Sequence, residues 1–138
     1  ETILFYLSSN DYASSSIFKF GNLSSGKNSL WPDKNLKHID KKELLSITID
    51  SLIKINSIDI KNYDHWVVDL QGAELLALEG SIQNLKFCKT LYIEVSEGEV
   101  YNNGAKWNDI LNFLSKNKYR QMWDLKSNHT NVLFIKSN

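Results

Sequence analysis

Val67-Val68-Asp69-Leu70-Gln71-Gly72-Ala73-Glu74 reads as an apolar strand that delivers a carboxylate, Asp69, to its carboxyl end. A glycine turn follows, and a helix opens on a second acid, Glu74. In open α/β sheets, ligands bind in the space just past the carboxyl ends of the strands. The whole segment His65–Leu70 is apolar almost throughout rather than alternating, which fits a central parallel strand covered on both faces. Many buried strands end in Asp, so the spacing gains weight from two neighbours, Thr48-Ile49-Asp50 before it and Tyr92-Ile93-Glu94-Val95-Ser96 after it.

The order of elements extends the α/β reading in both directions. Ile3–Leu7 is a short apolar run and a strand. From Gly21 to about Lys42 the chain reads as a long loop, of a length that is usually functional or disordered. Trp31 in that loop either plugs an edge of the core or serves as a lid or acceptor contact. Glu43–Asp50 is expected to be a strand and Ser51–Asn56 a short helix. Glu74–Leu85 follows as a helix with Leu75, Leu78, Ile82 and Leu85 on one side. Gly80 inside it points to close packing or a kink. Leu91–Val95 is the next strand. Trp107, Ile110, Leu111 and Leu114 obey amphipathic helix spacing, and Asn117 stands where a left-handed cap is favoured. Tyr119–Leu125 and Asn131–Lys136 then read as two strands. Their link is too short for a parallel crossover, so they form an antiparallel hairpin. The apolar run Val132-Leu133-Phe134-Ile135 suits a central position, and Arg120, Gln121 and Asp124 suit an edge. The last strand is therefore expected between Leu91–Val95 and Tyr119–Leu125.

Composition excludes several classes. The 138 residues suffice for one domain with one core. Sixteen basic and sixteen acidic residues cancel, leaving no global field to draw nucleic acid or anionic lipid. No run approaches the roughly 20 apolar residues of a membrane helix. The single cysteine, Cys88, cannot form an intrachain disulfide and reads as a packed thiol, which fits a reducing, cytoplasmic setting. Neither a Ser-His-Asp order nor a nucleophile elbow is present. His38 and His129 fall in expected loops and read as solvated, while His65 lies at the amino end of its strand.

Taken in order, Thr48-Ile49-Asp50, Val67–Glu74 and Ile93-Glu94-Val95-Ser96 resemble the FkbM-type methyltransferase family over nearly the whole chain. Ala13-Ser14-Ser15-Ser16 resembles the family's Ser-Ser element. Val67 stands where the family usually has Lys. The resemblance implies the carboxyl-terminal part of a class I, Rossmann-like methyltransferase sheet, mostly parallel with an antiparallel final strand. It implies S-adenosylmethionine as donor and O-methylation of a hydroxyl on a sugar or natural-product acceptor. The family's glycine-rich first loop has no counterpart, since the six glycines are scattered. Residue one is Glu1, and the only methionine is Met122. The chain is thus expected to be a single α/β domain lacking the amino-terminal cofactor-binding half, and inactive without it. The strand His65–Leu70 would then present an unpaired edge, through which a homo-oligomer could form. A non-catalytic binding or assembly module is the alternative, and a glycosyltransferase fragment is weaker because no Asp-x-Asp motif occurs.

Asp69 and Glu94 are the candidate catalytic residues. Asp69 either orients the acceptor hydroxyl and takes its proton or caps the following helix. Alternation turns Glu94 away from Leu91, Ile93 and Val95, into the cleft or into solvent. On the resemblance, Glu74, Ser15 and Ser16 are candidate acceptor contacts, and Trp31 is a further one on its place in the long loop. Asp69 with Glu94 would offer oxygens to a hard cation, but no recognised ligand spacing occurs and no metal is assigned.

Overall fold

The computed structural model describes residues 1–137. They form an α/β fold with two sheets. The smaller pairs β1 (Thr2–Ser8) with β2 (His38–Leu45), antiparallel, with a bulge at Leu7/Ser8. The larger contains β3 (His65–Val68), β4 (Thr90–Ser96), β5 (Tyr119–Gln121) and β6 (His129–Lys136) in the order β3-β4-β6-β5. β3 and β4 are parallel, and β6 runs antiparallel to both β4 and β5. The final strand is therefore inserted as the apolar run required, and the sheet is mixed.

Three helices connect these strands: α1 (Ile49–Ile55), α2 (Glu74–Glu79) and α3 (Trp107–Lys116). Leu91, Ile93 and Val95 of β4 and Val132 and Phe134 of β6 are buried in one core with Ile110 and Leu114 of α3. Burial of each such side chain contributes about 1.5–3 kcal/mol. Cys88 is buried in the same core, and burial pushes its thiol up to about 11. No helix among the described residues is long and apolar enough to cross a membrane.

Several boundaries differ from the sequence reading. The long loop ends at His38, where β2 begins, and the strand expected over Glu43–Asp50 is instead His38–Leu45. Asp50 belongs to α1, because Thr48 Oγ1 accepts from Ser51 N at 3.1 Å and caps the helix there. α2 stops at Glu79 rather than Leu85. A Cβ on Gly80 would stand 3.3 Å from Thr48 Cβ, and Asp50 N donates to Gly80 O at 2.9 Å. The Asp50 carboxylate then accepts from Gln83 N, Asn84 N and Asn84 Nδ2 at 2.8–3.2 Å, drawing the chain out of helix. Ile82 is consequently exposed rather than part of the core face. The strand expected over Tyr119–Leu125 ends at Gln121.

β3 is not covered on both faces. It pairs only with β4, and Val67 is 67% exposed. Beside its open edge lies an apolar groove of about 520 Å³ lined by Ile49, Ile53, Ile58, Ile60, Tyr63 and Leu70, among others.

Candidate active site

The parallel register places Asp69 and Glu94 side by side, one residue past the last paired residues Val68 and Ile93. Behind Asp69 the chain turns tightly. Gln71 and Gly72 both have positive φ (56° and 97°), and Ala73 N donates to Leu70 O. A Cβ on Gly72 would meet Tyr101 Cβ at 2.9 Å, so only glycine suits this turn.

The acid that satisfies the turn is Glu74, not Asp69. Glu74 Oε1 accepts from Leu70 N at 2.9 Å and Gly72 N at 3.1 Å, and the side chain is 3% exposed. Ala73, at the helix boundary, has no side-chain oxygen to offer, so the capping role weighed for Asp69 falls to the residue after it. Asp69 remains open to solvent and accepts from Gln71 Nε2 at 2.5 Å. Gln71 Oε1 in turn accepts from the buried Tyr101 hydroxyl at 2.6 Å. Tyr101 and Gln71 thus orient Asp69, and neither was singled out from the sequence.

The antiparallel register of β4 and β6 builds the other wall. Ser96 faces His129 and Glu94 faces Asn131, so alternation brings Glu94, Ser96 and His129 to one face of the ladder. His129 Nε2 lies 3.1 Å from Glu94 Oε1, and its Nδ1 lies 2.6 Å from Ser96 Oγ. His129 is half-buried rather than solvated, and its ring and that of Trp31 meet in a T-shape, 5.1 Å between centroids and 89° between planes. Trp31 therefore lies beside this site. His38 is also no loop residue. It starts β2, stacks on Phe20 with centroids 4.1 Å apart, and accepts from Phe20 N through Nε2.

Ser15 and Ser16 are used structurally. Ser15 Oγ accepts from Ser8 N at 3.0 Å. Ser16 is buried, donates to Gln71 O at 2.7 Å and accepts from Phe18 N, so it braces the turn behind Asp69.

Oxygens of Asp69, Glu74 and Glu94 lie within 4.8 Å of one another. The spacing suits a hard cation, but acidic clusters commonly stand without one, and Glu74 and Glu94 already hold donors. The cavity between the strand ends measures about 20 Å³, and its lining includes Glu74, Glu94, Ser96, Tyr101 and His129. That is room for about one water.

Charge is concentrated here at a cost. Burial, then the charge of Glu94, raises the Asp69 carboxyl above its ordinary value. Burial raises Glu74 against the pull of its backbone donors. The bond to Glu94 raises His129, with burial opposing and the three carboxylates assisting. Each of these groups binds protons more readily folded than unfolded, so each loses stabilisation as pH rises. For His129 the loss begins at its unfolded value of 6.5, and for the acids at 3.8 and 4.5. His38 runs the other way, because burial and then Lys19 lower it, and its contribution is lost as pH falls below 6.5. Above pH 6.5 the melting temperature should therefore fall as pH rises, because the contribution of His129 is lost there. His129→Gln should flatten the alkaline limb, and thermal melts across this range check it. An alkaline limb unchanged in that variant would contradict the assignment.

No curated protein and no solved structure matches this chain. The sequence model of the methyltransferase FkbM domain matches residues 3–121, most of the chain, including the Asp69 turn and the β4 strand end. With its α/β sheet carrying Asp69 and Glu94 on adjacent strand ends, this chain belongs to the FkbM methyltransferase domain family.

Proposed function

We propose that this chain supplies the acceptor side of an S-adenosylmethionine-dependent O-methyltransferase acting on a hydroxyl of a sugar or natural product. The observation that carries the reading is the convergence of Asp69 and Glu94 at the carboxyl ends of β3 and β4. In this reading the domain is the carboxyl-terminal part of a class I methyltransferase sheet. The acceptor hydroxyl would approach Asp69 from solvent and donate a hydrogen bond to that carboxylate, which is placed to take its proton. Glu94 flanks it, and Trp31 bounds the acceptor.

The residues described here do not fit the donor itself. The cavity of about 20 Å³ is far too small for a nucleoside, and the glycine turn after β3 has its Leu70 and Gly72 amides bonded to Glu74. No step is routed through the donor, whose contacts this reading takes from outside residues 1–138. The same observation favours a second reading, a binding or assembly module that kept the fold. Calorimetry of S-adenosylmethionine on the natural full-length protein separates them. Saturable binding supports the enzyme, and its absence supports the module.

The open edge of β3 carries a further expectation. A strand with an unpaired side beside an apolar groove invites pairing with a second copy. Sedimentation velocity of residues 1–138 should show dimers that Val67→Pro disrupts, since proline cannot donate to a ladder. A monodisperse monomer for the unchanged chain would contradict this.

A further inference from the structure

His129 is absent from the acid–base scheme above, yet both of its ring nitrogens are engaged at the site. Its two ring nitrogens have separate partners, Ser96 Oγ at 2.6 Å and Glu94 Oε1 at 3.1 Å. Both partners lie on β4, two residues apart on one face, so the antiparallel register fixes the ring without any help from the loop before it. Trp31 closes on the ring from outside. No Lys or Arg pairs with Asp69, Glu74 or Glu94 among the described residues, so His129 is the one cationic partner these carboxylates have.

We infer that His129 is a positioning residue of this site. As an imidazolium held between Ser96 and Glu94, it is the resident cation of the carboxylate cluster, turns Glu94 towards β6, and leaves Asp69 as the carboxylate that takes the acceptor's proton. The inference rests on the proposed methyl transfer for its catalytic meaning, but the geometry stands apart from it. Three carboxylates at such close quarters repel one another, and by Coulomb's law each unit of charge removed at about 4 Å is worth several-fold in equilibrium even at a high effective dielectric. Glu94 spends its interaction on the imidazolium, whereas Asp69, bonded to the neutral Gln71 amide, has no cation of its own. The groups that face the ring are Glu94 on β4, Asp69 after β3 and Glu74 on α2, all of which favour its charged form.

The test has two independent arms. In the first, the His129 ring nitrogens are followed by NMR through a pH titration, with the signal assigned by its loss in His129→Gln. The expected midpoint lies above the ordinary 6.5, and Glu94→Gln, which keeps shape and removes charge, brings it down. A midpoint at or below the ordinary value in the unchanged protein overturns the inference, whatever the activity. In the second arm, methyl transfer is compared in His129→Gln and His129→Arg. Misplacement of a catalytic group typically costs on the order of 10²-fold. His129→Gln should lose about that in kcat with acceptor KM little changed. His129→Arg, which restores a cation, should recover part of it and respond less to pH above neutrality. Equal losses in the two variants overturn the charge role. Absence of methyl transfer in the unchanged protein, with a raised NMR midpoint, sinks the proposed function while leaving the resident cation in place.

Discussion

Replacing Asp69 by Asn should lower methyl transfer by about 10²–10⁴-fold, the usual loss when a general base is removed, while the melting temperature stays in place or rises slightly. Asn keeps the size of the side chain and can still accept from Gln71 Nε2 as Asp69 does. It removes a charge that the fold disfavours, since burial and Glu94 both raise the Asp69 carboxyl. The turn behind it does not depend on Asp69, because Glu74 holds the Leu70 and Gly72 amides. Activity and stability should thus separate. Rate assays and thermal melts on the same preparation check this, and a stability loss with full activity would make Asp69 a structural residue.

The reverse pattern is expected at Glu74. Glu74→Ala leaves two turn amides without their acceptor in a nearly closed environment. Each buried donor left unpaired costs about 1–3 kcal/mol, so about 2–6 kcal/mol of folding stability should be lost. Glu74→Gln retains an oxygen at the same place and relieves the burial of a charge. It should cost less than about 1 kcal/mol. Urea denaturation measures both. Equal costs for Ala and Gln would mean that the charge, not the acceptor, holds the turn.

These two residues show what a linear sequence discloses. Asp69 and Glu94 were legible because apolar runs ending in an acid are local patterns, and strand ends are where sheets bind ligands. The insertion of β6 between β4 and β5 was legible because its apolar run suits a central strand, and its antiparallel sense because the link before it is too short for anything but a hairpin. Which acid serves the turn was not legible. It depends on Glu74 reaching back to Leu70 and Gly72, and on Ala73 having no oxygen to compete. His129 was hidden for a different reason. It lies at the polar start of β6, outside the apolar run that marks the strand, and only its pairing with Ser96 turns it towards Glu94. The end of α2 was likewise set at a distance, by Thr48 against Gly80 and by the Asp50 carboxylate on Gln83 and Asn84. The start of β2 at His38, ahead of the strand expected from Glu43, was hidden because its charged, largely exposed residues show no alternation.

The central claim is that this domain places an acceptor hydroxyl against the Asp69–Glu94 strand ends for methyl transfer. It is tested most directly by incubating the natural full-length protein with methyl-labelled S-adenosylmethionine and a panel of hydroxylated sugars and natural products, and following the label by mass spectrometry. The account predicts label on an acceptor hydroxyl, suppressed by Asp69→Asn. Label transferred at an undiminished rate by the Asp69→Asn variant would contradict it.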